Sequence, residues 1–175
     1  MPFALRHAAL IAALAVAAAA PATAQDNAAA TPEFQGEHRD WRVFTRGSGG
    51  DRVCYALARP EDSRPGNVDH GDVYFMVSSW ASGAAEDQPN FLAGYALRPE
   101  SPPEVRVGST RFQMYVSGRE GFLEELGDEA RLVRAMRRGA DMRVEATSER
   151  GTATAYVFSL MGVTAALQQV EDLCG

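Results

Sequence analysis

Cys54 and Cys174 are the only cysteines in the chain, and they lie far apart in it. A redox pair needs a short Cys-x-x-Cys spacing, and a structural zinc site needs more thiol or imidazole ligands than these two thiols supply. An even number of cysteines in an exported chain points to one structural disulfide, Cys54 to Cys174. His38 and His70 each stand two residues before an aspartate, in "HRD" and "HGD". A metal site built from His38, Asp40, His70 and Asp72 is one reading. Two solvated loop histidines are the preferred one, because nothing in the sequence ties the two loops together. No G-x-S-x-G or S-x-x-K motif makes a serine nucleophile credible, so no catalytic residue and no cofactor is expected.

Three further groups have chemical potential and a simpler structural explanation. Glu120, Glu124, Glu125 and Asp128 could supply a pair of carboxylates, but they read as a solvated turn leading into a helix. Arg131, Arg134, Arg137 and Arg138 could hold an anionic partner; interaction with a helix C-terminus explains them without a ligand. Tyr74, Phe75 and Trp80 could mark a binding face, with core packing as the default for such an apolar run.

The compartment follows from the N-terminus. Arg6 precedes an apolar run from Ala8 to Ala20, followed by Pro21 and the small-residue site Ala22-Thr23-Ala24. The run is shorter than the ~20 residues needed to span a bilayer. It therefore reads as a secretory signal over 1–24, cleaved after about Ala24, which places the protein in the periplasm or outside the cell. The formal net charge of −6 becomes about −7 once Arg6 is removed. An acidic chain is a poor candidate for nucleic acid, and no other stretch suggests stable membrane insertion. All 17 basic side chains are arginine, a bias that a GC-rich genome explains.

The elements that must position these residues are mostly strands. After a leader expected to be flexible over 25–37, "DWRVFTR" and "DRVCYALAR" flank the glycine-rich turn "GSGG". "DVYFMVSSW" reads as a strand buried on both faces, "FLAGYAL" as a short strand, and "EVRVGSTRFQMYV" as a hairpin. "GDEARLVRAMRRG" reads as a helix capped by Asp128 and stopped by a left-handed Gly139. A second hairpin spans 140–159 and turns near Gly151. In "SLMGVTAALQQVEDLCG", with Ser159 as cap, Val163, Leu167, Val170 and Cys174 recur at 4-3-4 spacing. Eleven residues at about 100° each return to within ~20° of the start, so Cys174 shares the buried face with Val163. Cys54 sits mid-strand with Ala56 and Ala58 on its own side, where a helix could approach closely. The expected fold is α+β: a mainly antiparallel, sandwich-like β domain over 38–175 with two helices in its C-terminal half.

The order of these features, with Trp41 heading the first strand, Cys54 in the second, then "GDVYFMVS", "VGSTRFQMYV", "DEARLVRAMRRGADMRVEATSERGTATAYVFSLMGVTAAL" and a terminal cysteine, resembles the invasion-associated locus B (IalB-like) family of exported alphaproteobacterial proteins. The resemblance covers about residues 38–174. It implies a periplasmic or envelope-associated protein, with a role in host-cell invasion for pathogenic members. Many members carry extra cysteines mid-domain; "SGREGFLEELGD" (117–128) has none, so only the one bridge is expected. The leading functional expectation is an exported, non-enzymatic domain that binds an unidentified envelope or host protein. The alternative is a periplasmic accessory enzyme or small-ligand carrier with its site in the loops 60–71 and 81–90.

Overall fold

The computed structural model describes residues 31–175; the expected signal, its cleavage site and leader residues 25–30 lie outside the described residues. Twelve strands and two α-helices follow in order: β1 (Glu33–His38), β2 (Trp41–Arg46), β3 (Val53–Ala58), β4 (Asp62–Arg64), β5 (Tyr74–Trp80), β6 (Gln88–Leu92), β7 (Glu104–Val107), β8 (Thr110–Gln113), β9 (Tyr115–Ser117), β10 (Glu120–Phe122), α1 (Leu126–Met136), β11 (Asp141–Thr147), β12 (Ala153–Ser159) and α2 (Val163–Cys174). They form two antiparallel sheets. One has seven strands in the order β1-β2-β3-β5-β6-β10-β9, the other five in the order β4-β12-β11-β7-β8.

Alternation along each strand decides what lies between the sheets. Trp41, Val43, Cys54, Ala56, Ala58, Phe75, Val77 and Phe91 point inward and are buried. Part of this face meets the five-stranded sheet. Phe75 packs edge-on against Phe158 with ring centroids 5.9 Å apart, and Phe91 lies 5.6 Å from Tyr156. The indole Nε1 of Trp41 donates to the Ser159 carbonyl at 3.0 Å. The remainder is covered by α2, whose Val163, Ala166, Leu167, Val170 and Cys174 are buried against β1, β2, β3 and β5. α1 buries Leu132, Val133 and Met136 beside β6 and the β7–β8 hairpin, closing the flank.

The disulfide joins Cys54 to Cys174 with Cα atoms 5.9 Å apart, across a sequence separation of 120. It ties the last turn of α2 to the second residue of β3, a strand whose Ala56 and Ala58 leave room for the helix backbone.

Several local expectations change. The leader does not stay irregular to residue 37: Glu33–His38 adds an edge strand to β2, with a register shift at Phe34/Gly36. Gly36 faces Gln169 of α2 so closely that a Cβ would lie 2.8 Å from its Oε1. The strand expected at 91–97 instead runs from Gln88 to Leu92. It stops because Gly94 must lie against the backbone of His70–Asp72, where a Cβ would fall 2.0 Å from the His70 carbonyl oxygen. The segment 117–128, expected to be a solvated turn leading into a helix, contains β10, which pairs with β9 as a hairpin. Asp128 does not cap α1: Glu125 holds the N-cap position, and Asp128 pairs with Arg131 within the first turns. Gly139 is not left-handed; its glycine requirement is steric, with Val107 and Leu160 side-chain carbons within 2.8 Å of a notional Cβ. Ser159 is not the cap of α2 either. Gly162 takes that position at φ 95°, while the Ser159 hydroxyl donates to Asp40 at 2.6 Å and accepts from the Met161 N–H.

Replacing Cys54 and Cys174 together by alanine removes a cross-link that closes a long loop in the unfolded chain. Denaturant unfolding of the double variant is expected to show a loss of about 3–5 kcal/mol. A loss below about 1 kcal/mol would mean that α2 is held by packing alone.

Candidate functional site

The two histidines come first, because a shared metal site depended on them. They are engaged separately. His38 Nε2 lies 2.8 Å from Gln169 Oε1, and the Gln169 amide nitrogen donates to the Gln35 carbonyl, so this imidazole fastens β1 to α2. His70 is bonded through both ring nitrogens, Nδ1 to the Tyr156 hydroxyl at 2.8 Å and Nε2 to the Pro65 carbonyl at 3.0 Å. Among the described residues no group of three or more His, Cys, Asp or Glu side chains could hold a metal ion. Asp40 is taken by Ser159, and Asp72 pairs with Arg59.

The remaining clusters also separate. Glu120 accepts from the Asn90 amide at 3.2 Å on β10, Asp128 pairs with Arg131, and Glu124 and Glu125 are exposed in the link to α1. Arg131 lies over the Phe112 ring at 5.5 Å, Arg137 reaches Asp87 at 3.5 Å, and Arg134 and Arg138 face solvent. The loops 60–71 and 81–90 lie beyond opposite ends of β5, a seven-residue strand. At ~3.3 Å per residue they are roughly 20 Å apart and do not form one site.

What the structure brings together is the outer face of the seven-stranded sheet. Successive cross-strand neighbours put Phe34 beside Phe44, Phe44 beside Tyr55, and Val53 beside Trp80. A second row runs Leu57, Met76, Asn90, Phe122, Tyr115. Phe34 and Phe44 meet edge to face at 5.5 Å, Phe44 stacks on Tyr55 at 5.7 Å, and Tyr115 lies 5.8 Å from Phe122. The Arg42 guanidinium sits 5.1 Å and 5.3 Å from the Phe34 and Phe44 ring centroids. Phe34 remains 53% exposed and Tyr115 47%, while Phe44, Tyr55, Leu57, Met76, Trp80 and Phe122 are half-buried. Among the described residues no helix or second sheet packs over this face. A groove of about 380 Å³ crosses it between Tyr55, Met76, Trp80, Asn90, Leu92 and Phe122. Burial raises the Tyr55 phenol above its ordinary value, with the Arg46 cation pulling the other way.

The expected aromatic trio is thus split by the pleat: Phe75 belongs to the core, and Tyr74 and Trp80 to the open face. The other members were missed because each strand contributes only one or two. The signal was present as period-two alternation, in Arg42-Val43-Phe44-Thr45 and in Val53-Cys54-Tyr55-Ala56-Leu57.

At the rim of this face, where β6 begins, sit two acids with raised pKa. Burial is the main cause for Asp87, opposed by Arg137, and also for Glu129, opposed by a hydrogen bond from Gln88. Glu129 lies in the first turn of α1, where the helix dipole favours its charge, yet desolvation outweighs it.

A family model described as "Invasion associated locus B (IalB) protein" matches residues 41–171, most of the chain, and the chain belongs to that family. No curated protein and no solved structure matches it. Among the described residues no helix is long and apolar enough to cross a membrane.

The raised Glu129 carboxyl has a signed consequence. Its folded-state pKa lies above the unfolded one, so its contribution is most favourable in acid and is lost as pH rises through the folded value. Glu129→Gln is therefore expected to raise Tm by a few degrees at about pH 7, with the gap to wild type closing near pH ~3. A gap of the same size at both pH values would show that burial of the charge is not the cause.

Proposed function

We propose that this member of the invasion associated locus B family is an exported, non-enzymatic module that binds a protein of the bacterial envelope or of a host cell. The outer face of the seven-stranded sheet is its binding surface. The observation that carries this reading is the pair of neighbouring rows, Phe34 to Tyr55 and Leu57 to Tyr115, aromatic and aliphatic except for Asn90, in a chain of net charge −6.

Monomeric proteins rarely leave a large contiguous apolar patch in water without a use for it. The composition also matches what dominates protein–protein contacts: Tyr, Trp, Phe, Met and Arg in the centre, with polar groups around them. Cross-strand packing holds the rings in place, so a partner meets a surface that loses little side-chain entropy on binding. The protein-partner reading is favoured over a small-molecule carrier because the apolar side chains extend across all seven strands of the sheet, well beyond the groove of about 380 Å³ among them. Export is supported by the apolar run and Ala-x-Ala site of the first 24 residues, and by the disulfide, which persists in oxidising compartments.

N-terminal sequencing of the exported form is expected to begin at about Gln25; an intact Met1 terminus on material recovered from the periplasm contradicts the signal assignment. A photo-crosslinking residue placed at Tyr55 or Phe122 is expected to form protein adducts in an envelope or host-membrane fraction, whereas one at Arg143 on the opposite sheet is not. Tyr55→Ser with Phe122→Ser should abolish the adducts formed from a crosslinker at Trp80 while leaving Tm within a few degrees. Adducts from Arg143 alone would place the binding surface elsewhere.

A further inference from the structure

His70 lies at one end of a line of hydroxyls that the binding face does not use. Its Nδ1 meets the Tyr156 hydroxyl at 2.8 Å, which meets the Tyr95 hydroxyl at 2.9 Å, which meets the Thr154 hydroxyl at 2.6 Å. Thr154 Oγ1 in turn reaches the Ala146 carbonyl at 3.2 Å, and at the other end His70 Nε2 reaches the Pro65 carbonyl at 3.0 Å. Both termini are carbonyls and can only accept.

Proton counting then sets the directions: the five links need five hydrogens, which the line holds only when the ring is doubly protonated, and the neutral line holds four. The Pro65 carbonyl requires a hydrogen on Nε2 in either charge state of the ring. When the imidazole is neutral, Nδ1 is an acceptor, and the line runs inward: Thr154 to Tyr95, Tyr95 to Tyr156, Tyr156 to Nδ1, with the Thr154 hydrogen turned away from the Ala146 carbonyl. When the ring is doubly protonated, Nδ1 donates and the line must run outward: Nδ1 to Tyr156, Tyr156 to Tyr95, Tyr95 to Thr154, Thr154 to the Ala146 carbonyl. No heavy atom has to move for this reversal; only three hydroxyl hydrogens rotate. Tyr156 itself stays a phenol throughout, since its burial and the bond to Tyr95 raise its pKa far above the ordinary range.

We propose that the Tyr156–Tyr95–Thr154 hydroxyls form a reversible hydrogen-bond relay that keeps the 60–71 loop anchored whether or not His70 is charged. The relay matters because this loop carries Arg64, Pro65 and Gly66, one wall of a groove of about 810 Å³ that Ala155, Arg143 and Glu145 also line. An imidazole bonded to a lone buried tyrosine lacks this tolerance: on protonation it would force the phenol to turn its hydrogen away with no acceptor in reach. The charged and titratable neighbours of His70 are Asp69 on its own loop, whose Oδ1 is taken by the Gly71 N–H, Arg150 from the β11–β12 turn, and the two tyrosines. Among the described residues no carboxylate bonds the ring. Close contact of Gly94 with His70 and Gly71 brings Tyr95 up to the line.

The test removes the outward acceptor. Tyr95→Phe leaves Tyr156 free to donate to Nδ1 when the ring is neutral, but removes the hydroxyl that takes the Tyr156 hydrogen once the ring is charged. Folding equilibrium constants of wild type and variant are compared on either side of the ordinary imidazole range, at about pH 5 and about pH 8. The variant's loss relative to wild type should be about tenfold or more larger at the lower pH, as expected for a buried hydroxyl left without an acceptor. Ionisable groups away from the line are common to both proteins and cancel in the comparison. Thr154→Val, which shortens the relay by one hydroxyl, should show the same acid-specific loss in weaker form and covers the case in which Tyr95→Phe does not fold. Equal losses at both pH values in the folding variants would reduce the line to ordinary packing and overturn the relay.

Discussion

The inner face of the seven-stranded sheet is broader than the five-stranded sheet packed on it, and an apolar sheet face cannot be left half in water. α2 closes the uncovered part, and the Cys54–Cys174 bond fixes it there. Much else in the molecule serves this closure. Ala56 and Ala58 keep β3 low beneath the helix. Gly162 turns the chain from β12 into α2 in a left-handed conformation, so close to β1 that a Cβ would fall 1.9 Å from the His38 carbonyl oxygen. Gln169 then holds β1 through His38 and Gln35. A helix of twelve residues at a chain end would fray without such ties.

Once the inner face is closed, the two outer faces define what the domain can do, and they differ sharply. The outer face of the five-stranded sheet carries paired charges, Arg64 with Asp62, Arg111 with Glu104 and Arg143 with Glu145, over alanines and threonines. Exposed pairs of this kind add little stability and keep a surface solvated. The outer face of the seven-stranded sheet carries Phe34, Phe44, Tyr55, Met76, Trp80, Phe122 and Tyr115 instead. Solvation alone does not account for that choice, since antiparallel sheets ordinarily turn a polar side to water.

The sequence exposed the architecture to the extent that it was periodic. The 4-3-4 spacing of Val163, Leu167, Val170 and Cys174 gave both the helix and its partner strand, and Met142, Val144 and Ala146 gave the second hairpin. Features set by a distant neighbour were not legible. The edge strand Glu33–His38 depends on pairing with β2, and the end of β6 depends on Gly94 meeting the 70–72 backbone. The glycine at 139 was visible, but its reason was not: crowding by Val107 and Leu160 looks the same in sequence as a left-handed cap. The open face was half legible. Tyr74, Phe75 and Trp80 drew notice as a run, although pleating sends Phe75 the other way, and the full face emerges only when all seven strands are laid in register. The histidines read as solvated loop side chains, whereas each has a structural partner that no local pattern announces, Gln169 for His38 and Tyr156 for His70.

α2 seals one face of the seven-stranded sheet, and the proposed binding surface is the other. Hydroxyl-radical footprinting of the purified protein, alone and bound to an envelope or host-membrane fraction, addresses both halves in one experiment. Tyr55, Met76, Trp80, Phe122 and Tyr115 are expected to oxidise readily in the free protein and to be protected on binding, while Trp41 and Met142 stay unreactive in both states. Unchanged oxidation of the outer-face aromatics in the bound state, or protection confined to the charged face around Arg143, would contradict the account.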